Sequence, residues 1–302
     1  MMAFMRKLGS WLAPVCLIVG LGQPVLASES ARVVSVGGSV TEIVYALGAG
    51  DRLVGVDSTS LHPAAAQGLP DIGYMRRLSA EPILSLEPDV VLAVADAGPP
   101  EALAQLRAAG VEVIEVPDTP SRAGIAEKVR AVADALGLPG KGDALAQRLA
   151  RQFDRLQARL ADVDGRPRVL LLLAVGRGTP MGAGKDTAAQ GVIDLAHGRN
   201  AIEAFSNYKP LSREAVVAAA PDVFLTTERT IQRFGGRQAL LSRPELASTR
   251  AGREGRLIVM DGLLLLGFGP RTPQAAAQLA ARLHGNLEAP DLSEASVYDG
   301  GD

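Results

Sequence analysis

Tyr74 and its neighbouring arginines are the residues whose types and spacing best suit ligand chemistry. Tyr74 lies outside any periodic pattern of apolar residues, with Arg76 two positions later and Arg77 beside it. A phenolate oxygen is a hard donor that suits ferric iron, and tyrosinate is one of the axial ligands of haem iron. Nearby guanidinium groups favour the ionised phenol and can pair with carboxylates of a ligand. These residues are a candidate ligand site, and a half-buried loop tyrosine is the alternative interpretation.

The three histidines, His62, His197 and His284, form no recognisable catalytic or metal-binding pattern. No two have the spacing of helical metal ligands, and neither an H-E-x-x-H sequence nor a nucleophile elbow is present. His197 and His284 each precede glycine, which is typical of helix C-termini, whereas His62 lies in an irregular stretch and could face a cleft. The glycine-rich segment 182–187 lacks a Gly and a Ser or Thr that a phosphate-binding loop requires, and it predicts a plain turn before a helix. The sequence therefore supports neither an enzyme nor a nucleotide-binding protein.

An internal repeat relates the two halves of the chain. Residues 78–92 and 211–225 align without a gap, with matching Leu, Ser, Glu, Pro, Asp, Val and Leu. Each copy predicts a Ser-capped short helix, a Pro-Asp turn and a buried strand. Glu81 and Glu214 occupy the same position in the two copies. They either stabilise helix N-termini or form a symmetric pair of exposed acids that docks onto basic pockets of a partner.

The elements that must position these residues alternate between strand and helix. Ser39 followed by Glu42 has the form of a capping box, so the first helix is predicted to begin there and to end near Leu47. The pattern becomes purely helical between the two halves, and a helix of about twenty residues, spanning about 30 Å, suits a strut between lobes. The predicted fold is α/β, with two similar parallel-sheet lobes, one long joining helix and a ligand cleft between the lobes. The predicted boundaries are 32–120 for the first lobe, 121–165 for the helical segment and 166–285 for the second lobe.

The two ends of the chain are predicted to lie outside the folded part. Residues 1–27 indicate a cleavable secretory signal, with Arg6 and Lys7 before a short apolar stretch. The only cysteine, Cys16, lies in that stretch, so the processed chain has no thiol for a disulfide, a metal site or a nucleophile. Residues 286–302 are acidic, lack periodicity and indicate a disordered tail. The net charge of -2, without basic runs, gives no support to nucleic acid as a partner.

Four segments resemble the haem-binding periplasmic proteins of bacterial ABC importers. They are residues 37–43, 69–81, 181–187 and 260–273. The resemblance covers about residues 32–284, and the Tyr-x-Arg-x-Leu-Ser-x-Glu pattern within 69–81 separates this family from its vitamin B12- and siderophore-binding relatives. It implies a helix-hinged (class III) solute-binding protein whose two α/β lobes face each other across a shallow cleft.

The resemblance also implies which residues hold the ligand. Tyr74 corresponds to the tyrosine that ligates haem iron, and Arg76 corresponds to an arginine beside it. In that family an arginine of the second lobe often supports the tyrosinate. Arg229 is the first candidate for this role and Arg233 the second.

A partner and a location follow from the same resemblance. Glu81 and Glu214 correspond to the acids that contact the permease dimer of the importer in the inner membrane. We therefore expect a monomer in the periplasm that receives haem, with an outer-membrane receptor system acting upstream. It would pass the haem to the importer.

The sequence departs from the family pattern at two places. Relatives that stack two haems use a histidine from the loop before the glycine-rich turn, and the corresponding residues 174–178 contain none, which favours one haem. Pro82 stands where many relatives have glycine, and proline is tolerated in a first helical turn. The alternatives are the same architecture with a corrinoid or a ferric siderophore, an exported enzyme with an unrecognised site, and a haem sensor.

Overall fold

The computed structural model describes residues 31–174 and 180–285. The predicted signal with Cys16, the predicted tail and residues 175–179 of the loop without histidine lie outside the described residues.

The first half of the chain forms a parallel sheet covered by helices. Its strands are β1 (Val33–Val36), β2 (Leu53–Val56), β3 (Val90–Val94) and β4 (Glu112–Val116). Its helices are α1 (Gly38–Ala46), α2 (Ala80–Leu84) and α3 (Pro100–Ala108), with 3-10 turns at Gly50–Arg52 and Ala64–Gly68. The strand order is β2-β1-β3-β4 and every pair is parallel. The two central strands are buried along their whole length, as expected for a parallel sheet with both faces covered.

Two helices follow, α4 (Arg122–Ala135) and α5 (Pro139–Leu160). At 22 residues α5 is the predicted long helix, and it would span about 33 Å. It packs closely on α4, because a Cβ atom added to Gly142 would lie 2.4 Å from the Cβ of Ala133.

The second half contains a mixed sheet. Its strands are β5 (Arg168–Leu173), β6 (Met181–Ala183), β7 (Arg199–Asn200), β8 (Tyr208–Pro210), β9 (Val223–Thr227) and β10 (Leu257–Met260). Its helices are α6 (Ala188–Leu195), α7 (Arg213–Ala219), α8 (Glu228–Arg233), α9 (Arg237–Leu241), α10 (Pro244–Ala247), α11 (Arg250–Arg253), α12 (Gly262–Leu266) and α13 (Thr272–His284). The order is β10-β9-β5-β6-β8, with β7 beside β5.

The predicted α/β fold with two lobes is confirmed, with one difference in the second sheet. Strands β5, β7, β9 and β10 pair with one another in parallel, but β6 runs antiparallel to both β5 and β8. The second lobe is therefore a parallel sheet extended by a two-strand antiparallel edge. The two lobes resemble each other in their parallel parts only.

Equivalent hydrogen bonds mark the internal repeat in both lobes. The Asp89 carboxylate accepts a bond of 2.8 Å from the main-chain N–H of Arg32, just before β1. The Asp222 carboxylate accepts one of 2.8 Å from the N–H of Arg168 at the start of β5. The Arg32 guanidinium also donates to the main-chain carbonyls of residues 86 and 87, just after α2. The Arg168 guanidinium donates to the main-chain carbonyl of Ala219, the last residue of α7. The Pro-Asp turn thus fixes the same arginine-bearing strand in each copy.

The predicted capping box at the start of α1 is wrong. The helix begins at Gly38, with Gly37 at φ 106° as its N-cap, so Ser39 already lies in the first turn. The Glu42 carboxylate instead accepts hydrogen bonds from the Arg271 guanidinium. The sequence pattern correctly predicted a helix start, but the Glu42 carboxylate pairs with Arg271, far along the chain, and not with the helix N-terminus.

A continuous core joins the two halves. Its largest cluster of buried apolar side chains includes residues of both sheets and of α4, α5 and α13. Two smaller clusters each belong to one half. Within the described residues, no helix combines the length and the apolar character needed to span a membrane.

Candidate ligand site

Tyr74 lies on a turn at the carboxyl edge of the first sheet. Asp71 pairs with Val56 at the end of β2, and the main-chain N–H of Arg77 donates to the carbonyl of Tyr74 at 2.7 Å. After the tyrosine, two hydrogen bonds of 2.9 Å tie the segment to Gly98, beyond β3. The turn is held at both ends while 39% of the Tyr74 surface stays exposed. Ligands of open α/β sheets bind beyond the carboxyl ends of the strands, which is where this phenol lies.

Arg76 lies beside the tyrosine on the same turn. Its guanidinium donates to the Asp96 carboxylate at 2.8 Å, and both side chains are more than half exposed, at 58% and 61%. An exposed pair of this kind is worth little to stability and exchanges easily for another anion. Arg76 is thus placed to contact a carboxylate-bearing ligand.

Arg229 and Arg233 lie at the corresponding edge of the second sheet. Both belong to α8, which begins directly after β9, and both are exposed. The hydroxyl of Thr227 accepts a hydrogen bond of 3.2 Å from the N–H of Thr230 and fixes the start of this helix. Residues four apart share one helix face, so the two guanidinium groups project on the same side.

Tyr208 was missed by the sequence analysis. It lies on β8 opposite Ala183 of β6, and 36% of its surface is exposed. Burial of its hydroxyl raises the pKa of Tyr208, while the main chain at Ala189, the positive charge of Arg76 and the Thr187 hydroxyl act in the opposite direction. Tyr208 and Arg76 belong to different lobes, so the charge of one lobe acts on a phenol of the other.

A sequence signal for Tyr208 existed. The repeat places Asn207 opposite Tyr74, and Tyr208 is one residue later, three positions before the second repeat. The chain has only four tyrosines, so a tyrosine beside a repeat that no apolar pattern explains is a candidate functional residue.

The histidines occupy structural positions. His197 follows α6 with φ 57°, and His284 ends α13, with the two ring centroids 5.8 Å apart. Burial lowers the pKa of His62, the charge of Arg271 lowers it further, and the charge of Asp261 opposes them. His62 therefore lies near charged residues of the second half. Within residues 31–174 and 180–285, no three His, Cys, Asp or Glu side chains come together as a metal site.

Glu81 and Glu214 lie in the first turns of α2 and α7, and both are exposed. Ser79 and Ser212 are the N-caps, as predicted, but only Ser212 accepts a hydrogen bond through its side chain, from the N–H of Ala215 at 3.1 Å. Hydrogen bonds from its own N–H and from the Ser212 hydroxyl lower the pKa of Glu214. Each lobe thus presents one exposed acid at an equivalent place.

A cavity of about 370 Å³ lies away from these residues, at the amino ends of β9 and β10. Three arginines contribute to its wall, Arg237, Arg256 and Arg282. Two of them donate to main-chain carbonyls of the strand at 2.9 Å or less. These arginines hold the end of β10 by hydrogen bonds. The cavity does not coincide with the candidate site.

Comparison with known proteins agrees with the two-lobed architecture. Residues 33–263 match the model of a family described as periplasmic binding protein. The periplasmic heme-binding protein RhuT from Roseiflexus sp. RS-1, solved in apo form, is 44% identical, with a TM-score of 0.82 over 85% of this chain and 98% of that chain. The periplasmic heme-binding protein BhuT, solved in complex with two hemes, is 42% identical, with a TM-score of 0.81 over 84% of this chain and 98% of that chain.

Two curated relatives that align over most of the chain are less similar in sequence. YvrC of Bacillus subtilis, described as an uncharacterized ABC transporter substrate-binding lipoprotein, is 26% identical over 86% of this chain and 82% of its own length. A vitamin B12-binding protein of Photorhabdus laumondii is 25% identical over 94% of this chain and 99% of its own length. Both structural neighbours are thus nearer in sequence than these relatives, and all four are similar over most of this chain.

Proposed function

The chain belongs to the periplasmic binding protein family, and we propose that it captures haem in the cleft between its lobes and delivers it to an ABC importer. The observation that carries the haem proposal is the exposed side chain of Tyr74, on a fixed turn at the cleft edge, with the exposed Arg76 two residues later on the same turn. The similarity to solved proteins described as heme-binding supports the same ligand.

In this proposal Tyr74 is the axial ligand of ferric iron. A phenolate is the charged form of tyrosine, and nearby positive charge favours it over the neutral phenol. Arg76 supplies such a charge from the first lobe, and Arg229, with Arg233 as second candidate, supplies it from the second. The same guanidinium groups can bind the haem propionates, because their planar forks match carboxylates. Apolar cleft walls would cover the porphyrin faces.

We propose that one haem is bound. BhuT holds two hemes in its solved complex, so the number in this chain is a separate question. Residues 174–178 supply no histidine, and this leaves Tyr74 as the proposed iron ligand. The end-point of a haem titration measures the number directly.

Delivery requires that the protein leave the cytoplasm and recognise a membrane partner. We propose that residues 1–27 are removed on export to the periplasm and that the processed protein is a monomer. Its folded part would consist of the lobes 32–120 and 166–285 joined by the helical segment 121–165. Glu81 and Glu214 would then contact the permease dimer, while an outer-membrane haem receptor system acts upstream.

A corrinoid is the second candidate, because relatives described as vitamin B12-binding align with most of the chain. A corrinoid carries a metal that already has axial ligands, so it gives no reason for an exposed phenol beside guanidinium groups. The proposed role is binding, as in the family to which the chain belongs, and not catalysis.

Titration with haem and with cyanocobalamin tests the ligand. We expect a shifted Soret band with haem for the wild type. In Tyr74→Phe we expect a loss of affinity greater than the roughly 10–100-fold that follows removal of a hydrogen-bond partner of a metal ligand. Tyr45→Phe is the matched control, since Tyr45 lies on α1 and packs against Gly50, away from the site. Tight binding of cyanocobalamin without a Soret shift for haem, or unchanged haem binding in Tyr74→Phe, would overturn the proposal.

A further inference from the structure

Two segments from opposite halves of the chain meet on helix α1. A Cβ atom added to Gly38 would lie 2.6 Å from a side-chain carbon of Leu263, which belongs to α12. A Cβ added to Gly269 would lie 3.3 Å from the side chains of both Ser39 and Glu42. Glycine at both positions lets the backbones approach. The contact unites the segments 37–43 and 260–273, to which the ligand site assigns no role.

A buried ion pair joins the lobes at this contact. The Arg271 guanidinium donates to both carboxylate oxygens of Glu42, at 2.5 Å through Nη2 and 3.0 Å through Nε. The Glu42 side chain is 3% exposed and that of Arg271 is 15% exposed. A bidentate pair fixes the angle between its partners as well as their distance, which an apolar contact does not.

Lys128 of α4 adds a second buried link. Its side chain is fully buried and pairs with the Asp118 carboxylate, while its ammonium group donates to the Ser39 hydroxyl at 3.2 Å. It also donates to the carbonyl of Phe268 in the second half at 3.1 Å. Phe268 has φ 48°, a backbone conformation that non-glycine residues rarely adopt and that surrounding contacts must maintain.

The four charged side chains of these two links carry equal numbers of opposite charges. Glu42 and Asp118 supply two negative charges, and Lys128 and Arg271 supply two positive ones. Buried charges cost free energy unless they are paired and hydrogen-bonded, so a movement of the lobes that separated these groups would leave charges unpaired at that cost. The network therefore resists rotation and sliding of one lobe on the other.

We propose that Glu42, Lys128 and Arg271 form an inter-lobe latch that holds the two lobes at the separation in which the cleft binds its ligand. These three are positioning residues, since they lie at the contact of α1 with the second lobe and act through the lobes. The effect on ligand binding rests on the proposed function, whereas the effect on lobe separation does not.

Spin labels on the two lobes can measure the latch directly. Glu101→Cys on α3 and Gln238→Cys on α9 place labels at exposed positions, and Cys16→Ser removes the only native thiol. In this background we expect a single narrow distribution of distances between the two labels, measured by double electron–electron resonance in the absence of ligand. The variant Glu42→Leu with Arg271→Met removes both charges of the pair, which avoids leaving one charge buried alone.

This double variant is expected to broaden the distance distribution while retaining the circular dichroism of the wild type. If the competent separation falls to about a tenth of the population, apparent haem affinity falls about tenfold. Arg271→Lys, which keeps the charge but loses the bidentate fork, should give a smaller broadening, and it serves if the double variant does not fold. The control is Arg243→Met with Glu245→Leu, a 2.5 Å ion pair within the second lobe.

A folded variant with the wild-type distance distribution would overturn the latch. So would a broadened distribution with unchanged haem affinity, because the lobe separation would then not govern binding. If the wild type binds no haem, the proposed function fails, and the label distances still decide whether the latch exists.

Discussion

At the scale of single residues, His62 is a proton-binding group whose surroundings change on folding. Burial lowers its pKa, the positive charge of Arg271 lowers it further, and the Asp261 carboxylate acts in the opposite sense. In the unfolded chain the pKa returns to about 6.5. In the window from about pH 6.5 down to its lower folded pKa, the unfolded state binds more protons than the folded state. The free energy of unfolding therefore falls as the pH falls through that window.

We expect His62→Gln to reduce this pH dependence. Urea unfolding of both proteins from about pH 7 to about pH 5 gives the change in free energy with pH. The wild type should lose more stability than the variant over this range. Leu61→Gln, at an exposed neighbour that leaves the histidine in place, controls for disturbance of the loop. Equal pH dependence in the wild type and His62→Gln would show that His62 contributes no proton linkage.

Residue type and local spacing single out some functional candidates and miss others. Tyr74 could be singled out because the arginines that follow it in sequence lie on the same turn, which the hydrogen bond from Arg77 to Tyr74 closes. The role of Glu42 could not be predicted, because its partner Arg271 is 229 positions away and the local pattern equally fits a capping box. Tyr208 has the same difficulty, since the charge that marks it belongs to the other lobe.

At the scale of elements, the crossing of α4 and α5 depends on one small residue. Replacing Gly142 by alanine would place its Cβ 2.4 Å from the Cβ of Ala133, so the helices must move apart. Overpacking of this kind costs about 1–3 kcal/mol, against a gain of up to about 1 kcal/mol in helix propensity. We expect Gly142→Ala to lower the free energy of unfolding by about 1 kcal/mol, measured by urea denaturation.

Gly140 supplies the matched control for this crossing. It lies two residues earlier on α5, is exposed, and has no atom within 4 Å of an added Cβ. Gly140→Ala should therefore stabilise the protein through helix propensity alone, by less than the roughly 0.5–1 kcal/mol of a mid-helix position because Gly140 lies in the first turn. If both substitutions shift stability in the same direction, close packing at Gly142 does not limit the crossing.

Whether the sequence predicts a strand depends on how the residues of that strand are buried. Strands β1, β3, β5 and β9 are buried over most of their length, so their apolar residues follow one another without alternation and the sequence reveals them. Strands β6 and β8 are three residues each, and they contain glycine, lysine and proline without alternation. Their pairing depends on the fold around them, and for this reason the antiparallel edge of the second sheet was not predicted.

At the scale of the whole molecule, the two lobes share one core. The internal repeat predicts that the lobes are related, and the equivalent bonds of Arg32 and Arg168 show how closely the local geometry repeats. The angle between the lobes could not be predicted, because it depends on contacts such as Glu42 with Arg271 that no local pattern encodes. Binding of a partner that contacts both lobes therefore depends on this angle as well as on the two exposed acids.

The exposed acids Glu81 and Glu214 should act together in delivery. We expect Glu81→Gln or Glu214→Gln to weaken binding to the importer about tenfold each, which corresponds to about 1.4 kcal/mol, and the double variant to weaken it further. Growth of the native host on haem as its iron source, with each variant expressed from the chromosome, reports delivery. Haem titration of the purified variants should match the wild type, because the two acids lie on α2 and α7 rather than on the turn of Tyr74.

The matched control is Glu101→Gln, since Glu101 is an exposed acid in the first turn of α3. Normal growth of the double variant would show that these acids do not dock, whereas poor growth with Glu101→Gln would show that loss of any surface acid has this effect. Only growth that fails with the repeat's acids and persists with Glu101→Gln assigns docking to the equivalent positions of the two lobes.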